Sequence, residues 1–219
     1  MRIVSGKWRS KRIMAPKDLP SRPTTDFGKE ALFNILNNRY YFEDLRVLDL
    51  FAGTGNISYE FASRGTLELT CVDMNKQCVR FISKTAEELG VDIQTVQGDA
   101  LMWVRRAVTQ YDIVFADPPY DFEGYEELAT GIIQNELIAE GGEAIIEHSD
   151  QTDLSHLPGF VEHRRYGHVN FSFFNRPEEI EAEGFSYPFI IRETGTHTAS
   201  TTRLIPNKDS LEQSRDEYA

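Results

Sequence analysis

The residues best suited to chemistry lie in one short run, Asp117-Pro118-Pro119-Tyr120, which follows the apolar stretch from Tyr111 to Ala116. Proline fixes the backbone and has no N–H group, so this loop is rigid and keeps the Asp117 carboxylate and the Pro118 carbonyl as hydrogen-bond acceptors. Two fixed acceptors beside an aromatic ring match a planar base that carries an exocyclic amine. A plain turn seldom needs these four residues together.

A second candidate is the glycine-containing run DLFAGTGN, from Asp49 to Asn56, which stands between a strand-like segment and a helical pattern. Glycines in such a loop let the backbone turn sharply and approach a nucleotide-like cofactor. The run lacks the third glycine of the dinucleotide fingerprint and the Lys-Ser/Thr pair of a phosphate-binding loop, so pyrophosphate is not the obvious ligand. The Asp49 carboxylate would repel phosphate and suits an ammonium or sulfonium charge. A merely tight turn also fits the pattern.

Two further carboxylates follow the next two strand-like segments. Asp73 comes 24 residues after Asp49, where a carboxylate can accept both hydroxyl groups of a ribose. Asp99 lies in the run Gly98-Asp99-Ala100, where its side chain could meet the exocyclic amine of adenine. Aspartate is also a good helix N-cap, so a structural role stays open for both carboxylates.

These candidates belong to a sequence in which short β-type runs alternate with helical patterns from Arg46 onward. Such alternation predicts βαβ units and a mostly parallel sheet with helices on both faces. Residues 160–174 instead predict a closing hairpin with an antiparallel strand, which turns near Gly167. The predicted strands and helices are, in order, RVLDLF, NISYEFASRG, LTCVD, NKQCVRFISKTAEELG, IQTVQ, DALMWVRRAV, YDIVFAD, GYEELATGIIQNELIA and GEAIIEH.

An amphipathic helix is predicted before the sheet, in the run RPTTDFGKEALFNIL. Its proline and hydroxyl residues are typical of a helix start. Gly28 inside the helix costs roughly 1 kcal/mol relative to alanine. The predicted buried face consists of Phe27, Ala31, Leu32, Ile35 and Leu36.

Charge is strongly segregated along the chain. The 219 residues carry a formal net charge of -12, which by itself argues against a nucleic-acid partner. Residues 1–22, however, contain seven Lys or Arg residues and one Asp, a net charge of +6, which leaves −18 for the remainder. Because salt screens charges beyond about 8 Å, a local basic surface can hold nucleic acid on an acidic protein.

Several functional classes are disfavoured by composition. No run is long and apolar enough to cross a bilayer, and no signal-type apolar core follows the basic N-terminus, so the protein is expected in the cytoplasm. Cys71 and Cys78 form no CxxC pair and have no His cluster nearby in sequence, so neither a disulfide framework nor a metal site is predicted. The five histidines also lack ligand spacing.

Taken together, DLFAGTGN, VDMN, GDA and DPPY resemble the motifs of class I S-adenosylmethionine-dependent methyltransferases that methylate amines. The N-terminal SGKWRSKRI, the RPTTD helix and the closing YGHVNFSFF narrow this resemblance to the RsmD family, over residues 1–177. That family methylates the exocyclic N2 of a guanine in 16S ribosomal RNA. The sequence departs from it at Gly28, where the family usually has a larger apolar residue, and in the acidic segment after Pro177.

The resemblance implies an α/β, Rossmann-like fold with a mostly parallel seven-stranded sheet, an antiparallel strand in the C-terminal hairpin and a small N-terminal β-hairpin extension. The expected division is a basic hairpin at residues 1–22, a methyltransferase domain at 23–177 and an acidic polar tail at 178–219. It also implies S-adenosylmethionine as cofactor, S-adenosylhomocysteine as product and no metal. The expected partner is 16S ribosomal RNA in a partly assembled small subunit, bound by a monomer.

The resemblance also implies roles for particular residues. Phe51 to Gly55 would border the methionine end of the cofactor, and Arg22 would lie near that end or near the target strand. The expected catalytic residues are Asp117, Pro118, Pro119 and Tyr120. The expected cofactor-binding residues are Asp49, Phe51, Ala52, Gly53, Thr54, Gly55, Asp73, Met74, Asp99 and Ala100. The expected RNA-binding residues are Lys7, Trp8, Arg9, Lys11, Arg12 and Arg22.

Two other functions stay open from the residues alone. DPPY does not distinguish the base, so an adenine-N6 methyltransferase acting on DNA or RNA is the first alternative. A cofactor-binding RNA assembly factor is the second, although the intact DPPY run and glycine loop favour an active enzyme. For Trp8, packing beneath the hairpin is favoured over stacking on a base.

Overall fold

A computed structural model describes residues 1–16, 19 and 26–177 of the chain. Arg22 and the acidic segment 178–219 therefore lie outside the described residues, as does the expected boundary between residues 22 and 23. The helices are α1 (Asp26–Arg39), α2 (Asn56–Ser63), α3 (Lys76–Leu89), α4 (Ala100–Arg106) and α5 (Tyr125–Gln134), with a 3₁₀ turn at Phe42–Asp44. The strands are β1 (Arg46–Leu50), β2 (Glu68–Asp73), β3 (Ile93–Gln97), β4 (Tyr111–Ala116), β5 (Ile138–His148), β6 (Phe160–Tyr166) and β7 (Val169–Asn175).

The seven strands form one sheet in the order β3-β2-β1-β4-β5-β7-β6. The pairs among β1 to β5 are parallel, and β7 runs antiparallel to both β5 and β6. Strand order reverses between β1 and β4, the place where open α/β sheets bind ligands. The predicted α/β sheet, with its antiparallel closing strand, is confirmed.

Helices cover both faces of this sheet because its central strands are apolar on both sides. Helices α1, α2 and α3 bury Leu32, Phe61 and Ile82 in one cluster, which also holds Val47 of β1. Helices α4 and α5 pack on the other face, in a second cluster that includes Leu48 and Leu50. Asp49 lies between these two leucines in β1 and therefore faces the α1–α3 side.

Two details of the predicted elements are wrong. Phe27 is 61% exposed at the start of α1, whereas Phe33, which was not predicted on the buried face, is fully buried. The helix is covered by the N-terminal segment as well as by the sheet, so its buried stripe is rotated from the predicted face. The fifth helix ends at Gln134 rather than continuing through ELIA, because Glu136 takes a left-handed backbone conformation and β5 already begins at Ile138.

Residues 1–16 fold back on themselves, but a single antiparallel bridge between Arg2 and Arg12 replaces the expected β-hairpin strands. Ile3 and Ile13 are buried in the main core. The segment is also held by Glu60 of α2, whose carboxylate accepts the backbone N–H groups of Val4 and Ser5 at 2.8 and 2.9 Å. It is therefore a part of the core rather than a detached arm.

Candidate active site

The predicted chemical residues meet at the carboxyl edge of the sheet, because parallel strands bring their carboxyl ends to the same edge. Leu50 at the end of β1 pairs with Ala116 at the end of β4, and Ala116 pairs in turn with Ile146 of β5. The backbone N–H of Asp117 donates to the Leu50 carbonyl at 3.4 Å. The glycine loop and the DPPY loop therefore leave the sheet side by side, although 60-odd residues separate them in sequence.

The glycine loop is tightly wound. Phe51, Gly53 and Gly55 all have positive φ, at 58°, 54° and 77°, and Phe51 bears this conformation despite its side chain. A Cβ atom at Gly55 would lie 2.8 Å from the Tyr59 ring, so this position needs glycine for space as well as for φ. Strained backbone of this kind clusters at ligand sites. The strand-to-helix turn predicted here is confirmed.

Asp73 ties the glycine loop to β2. Its carboxylate accepts the backbone N–H groups of Gly53 and Asn75, both at 2.7 Å. The N-cap of α3 is Asn75, whose side chain accepts from Gln77 and Cys78, so Asp73 is not the helix cap. An ionised carboxylate has about four acceptor positions. Two remain for a ribose diol, so the residues present fit the ribose of S-adenosylmethionine.

Asp99 and Ala100 begin α4. The Asp99 side chain accepts the backbone N–H of Met102 at 2.8 Å, which is an N-cap bond. The structural role left open in the sequence is therefore observed, and contact of Asp99 with adenine stays a prediction. Met74, one of the expected cofactor-binding residues, is 71% exposed after β2 and leaves this part of the edge open to a ligand.

Asp49 is almost fully buried, at 2% exposure, and accepts the Ser58 hydroxyl at 2.6 Å. Burial raises the pKa of Asp49 to about 7 against the lowering effect of the Ser58 hydrogen bond, with smaller contributions from the charges of Asp117 and Asp73. At neutral pH the group is therefore partly protonated. A sulfonium group placed close to Asp49 would favour the ionised carboxylate, which is the form that the sequence prediction assumed.

The DPPY loop presents its groups unevenly. Asp117 is half-buried and Pro118 is buried, whereas Pro119 is exposed and the Tyr120 ring is 85% exposed. The Pro119 carbonyl accepts the N–H of Phe122 at 2.9 Å, which closes the loop. Tyr120 thus stands free to meet a base, while Asp117 stays near the sheet.

An aromatic row supports the loop from below. The Phe122 ring lies edge-on to Phe51 of the glycine loop at 5.1 Å between centroids, and edge-on to Tyr125 of α5 at 5.2 Å. Edge-to-face pairs of this kind add about 0.5–1.5 kcal/mol each beyond burial. Phe122 therefore couples the position of the DPPY loop to that of the glycine loop, a link that the motifs did not reveal.

Glu147 is an acidic residue of this edge that sequence reasoning missed. It follows Ile146 in β5 as Asp117 follows Ala116 in β4, so the two carboxyl groups project from neighbouring strands. Its Oε2 atom is buried and has no hydrogen-bond partner among the described residues. Burial, with the Asp117 charge second, raises the pKa of Glu147 to about 9, so it holds a proton at neutral pH. The sequence signal was an acidic residue closing the apolar run AIIE, at the same strand end as Asp117.

His148, next in β5, has a packing role. Its two ring nitrogens lie 2.9 Å from the Ser149 carbonyl and 2.7 Å from the Ser172 hydroxyl. Burial lowers its pKa, so the ring is neutral, donating to Ser149 and accepting from Ser172. His168 is exposed in the β6–β7 turn.

Apart from Arg22, which lies outside the described residues, the expected RNA-binding residues lie along the N-terminal segment, on the α1–α3 side. Lys7, Arg9, Lys11 and Arg12 are exposed. Trp8 is partly buried against the core, its backbone N–H donates to the Ser63 hydroxyl at 3.0 Å, and the Lys7 ammonium lies 5.0 Å from its ring centroid. The packing role favoured for Trp8 agrees with this arrangement.

Across the described ranges, no group of His, Cys, Asp or Glu residues is arranged to hold a metal ion. Within the same residues, no helix combines the length and apolarity required for a bilayer span. What the edge offers instead is a glycine loop, a carboxylate with free acceptor positions and a rigid Asp-Pro-Pro acceptor pair. This donor set suits an organic cofactor and an amine-bearing base.

The chain is similar to known proteins both in sequence and in fold. The chain is 28% identical to the ribosomal RNA small subunit methyltransferase D of Escherichia coli K12, over 84% of this chain and 93% of that protein. It matches the structure of a hypothetical protein of Thermus thermophilus with a TM-score of 0.68 and 25% identity, over 80% and 99% of the two chains. The 16S rRNA N2 G1207 methyltransferase RsmC of Thermus thermophilus, solved with AdoMet and guanosine, shares the fold with a TM-score of 0.58, at 20% identity over 72% of this chain and 45% of that one.

The Rossmann-like methyltransferase fold inferred from the motifs is thus confirmed by structure, and the RsmD resemblance is confirmed by sequence. The profile of one family, described as Conserved hypothetical protein 95, matches residues 1–175, which include every strand of the sheet. The chain belongs to this family.

Proposed function

We propose that the protein transfers the methyl group of S-adenosylmethionine to the exocyclic N2 of a guanine in 16S ribosomal RNA. The observation that carries this proposal is the adjacency of the glycine loop and the rigid DPPY loop, joined by the bond from the Asp117 N–H to the Leu50 carbonyl. The small-subunit rRNA methyltransferase named among the relatives supports the RNA, and the guanosine complex of a protein with the same fold supports the base. The proposed setting is a monomer acting in the cytoplasm on a partly assembled subunit.

The cofactor would lie along the carboxyl edge from β1 to β3. Asp73 would accept its ribose hydroxyls, the loop from Phe51 to Gly55 would border its methionine end, and Asp99 with Ala100 would face its adenine. When bound, S-adenosylmethionine supplies an activated methyl group on a sulfonium, which needs only an amine nucleophile in line. The task of the chain is therefore to position that amine.

Asp117 and the Pro118 carbonyl would accept the two N–H groups of the target amine. A guanine N2 is a poor nucleophile because its lone pair is delocalised into the ring, and two acceptors pull the amine toward tetrahedral geometry. Asp117 would then take the proton that the methylated amine must lose. Tyr120 is exposed enough to stack on a base that has left its neighbours.

The test is a transfer assay with tritiated S-adenosylmethionine on three substrates: naked 16S RNA, small ribosomal subunits and double-stranded DNA. Label in N2-methylguanine from RNA or subunits is expected after digestion to nucleosides. Label in N6-methyladenine would replace this proposal with the adenine alternative. Cofactor binding without transfer to any of the three would favour an assembly factor.

A further inference from the structure

A groove of about 470 Å³ lies between the N-terminal segment and α3, away from the DPPY loop. Its walls carry Lys11 and Arg12 on one side and Arg80 and Lys84 on the other. All four side chains are exposed. The expected RNA contacts included only the first wall, so the groove adds a second basic wall from a helix far away in sequence.

The charge of the groove is largely uncompensated. Among the described residues, the only salt bridge made by these four cations joins Lys84 to Glu88 at 3.8 Å, with both side chains mostly exposed. Exposed pairs of this kind contribute about 0–1 kcal/mol and leave the cation available. Among the residues that the structure describes, Glu88 is also the only acidic residue that lines the groove. Four cations against one carboxylate stand out on a chain with a net charge of -12.

A second groove, at the amino ends of strands β1 to β4, shows that this arrangement is not general. Of the described residues that line it, one is a cation, Arg46, and two are acidic, Glu68 and Asp92. The Arg46 guanidinium is also paired with Glu68 at 2.7 Å. The charge of Arg46 is therefore compensated within the protein. Of the two grooves, only the one between the N-terminal segment and α3, called the α3 groove below, suits a polyanion.

The apolar part of the α3 groove fits the same ligand. Phe81 is partly buried in its floor, and Met14 at its rim is 82% exposed. Grooves that bind single-stranded nucleic acid combine cations for the phosphates with apolar or aromatic surface for bases and sugars. A metabolite phosphate would need a more enclosed pocket with directed N–H donors.

The position of the groove suits a strand that continues past the active site. Helix α3 begins at Lys76, shortly after Asp73, whose carboxylate accepts the Gly53 N–H of the glycine loop. The groove residues on this helix form one stripe, which begins at Arg80 and ends at Leu89. A strand that leaves the carboxyl edge on the α1–α3 side can therefore enter this groove.

From these observations we infer that the α3 groove binds the sugar-phosphate backbone of single-stranded RNA flanking the target nucleotide, with Arg80 and Lys84 as phosphate contacts. This inference rests on RNA as the substrate class in the proposed function. It gives the enzyme a second RNA contact, which is independent of sequence and separate from the DPPY loop.

The experiment uses the full chain and a fluorescein-labelled U20 RNA, with anisotropy measured at several KCl concentrations. The variant is Arg80→Ala/Lys84→Ala, and the matched control is Arg105→Ala/Arg106→Ala. The control removes two exposed cations from α4, on the other face of the sheet. Deletion of the N-terminal segment is unsuitable, because Ile3 and Ile13 belong to the core.

The groove variant is expected to bind U20 about tenfold more weakly at low salt, with a log-log salt slope smaller by roughly 1.4, because each lost phosphate contact removes about 0.7 for a single strand. The control is expected to match the wild type. Equal losses in both variants, or no loss in either, would overturn the assignment.

Two parallel measurements separate this inference from its alternatives. A labelled peptide of residues 178–190, which carries four glutamates, tests an acidic segment as the occupant: weakened peptide binding with unchanged U20 binding would overturn RNA as the ligand. Methyl transfer to small subunits tests the proposed function by itself. If the wild type methylates no RNA, while U20 affinity falls in the groove variant and not in the control, the proposed function is wrong and the groove assignment is retained.

Discussion

On the α1–α3 side of the sheet, the carboxyl group of Glu60 differs from those of Asp49 and Glu147 in whether nearby cations compensate its charge. Glu60 of α2 has the Lys29 ammonium at 3.4 Å, the Arg64 guanidinium at 3.2 Å and two backbone N–H donors. Asp49 has the Ser58 hydroxyl, and Glu147 has a buried oxygen without a hydrogen-bond partner. Neither of these two makes a salt bridge within the described part of the chain.

The difference separates a structural carboxylate from those of the candidate active site. Glu60 is fully buried with Lys29 and fastens the N-terminal segment to α1 and α2. Asp49 and Glu147 have raised pKa values because burial is not offset by a cation. Carboxyl groups with pKa values shifted this far by burial are more frequent at functional sites than elsewhere.

The largest expected effect comes from Asp117→Ala, at the active-site end of the comparison. Turnover should fall by roughly 10³–10⁴-fold, because the variant loses both an acceptor for the amine and the acceptor for its proton. Cofactor binding should be nearly unchanged. The measurement is the initial rate of tritium transfer to small subunits, together with calorimetric binding of S-adenosylhomocysteine.

The matched control is Asp121→Ala, which removes an exposed carboxylate of the same loop. It should keep close to wild-type turnover. Near-normal turnover in Asp117→Ala would remove that residue from the mechanism.

At the structural end, Lys29→Met should lower the free energy of unfolding by at least about 3 kcal/mol, because it leaves Glu60 buried beside a single partly buried cation, Arg64. Urea denaturation measures the change. Lys84→Met, which breaks the exposed pair with Glu88, should cost less than about 1 kcal/mol. A loss of similar size in both variants would show that burial of the Lys29 pair does not matter.

A smaller effect is expected for Asp73→Ala, which should weaken S-adenosylhomocysteine binding by roughly 10–100-fold. The ligand would lose the charged acceptor for its ribose hydroxyl groups, and a hydrogen bond to a charged group contributes about 1.5–3 kcal/mol. Calorimetry gives the dissociation constant. Asp92→Ala, at an exposed carboxylate between α3 and β3, is the control and should bind normally. Equal affinities for Asp73→Ala and the wild type would place the ribose elsewhere.

The smallest effect concerns pH and Glu147. Its pKa is raised in the folded protein, so the native state binds a proton that the unfolded chain has released above its ordinary pKa. Wild-type stability therefore falls as pH rises from about 5 toward 9. Glu147→Gln cannot ionise, so its stability should fall by less between pH 6 and pH 9, with a difference of about 1 kcal/mol or more.

Urea denaturation at the two pH values measures this difference, and Asp49 contributes equally to both proteins. Glu88→Gln, at an exposed position, should show the wild-type pH dependence. Parallel declines for Glu147→Gln and the wild type would mean that Glu147 is ionised in the folded protein.

Much of the fold followed from local patterns. Strand and helix periodicities predicted the parallel sheet, and Gly167 marked the turn between β6 and β7. The positions of the glycine loop and of DPPY at strand ends were also predictable, because a parallel sheet gathers those ends at one edge. The exposure of Phe27 was not predictable, because the buried face of α1 is set partly by the N-terminal segment, which packs on this helix only in the folded chain.

The sequence by itself determined which residue types end each strand, and through its motifs the family and the kind of cofactor and substrate to expect. Only the tertiary structure decided what those residues experience. Burial raises the pKa of Asp49 and of Glu147. The ammonium group of Lys29 compensates the charge of Glu60, and Arg80 lies across a groove from Lys11. The physical reason is that desolvation, charge pairing and grooves depend on distances between residues far apart in the chain, which local periodicity does not contain.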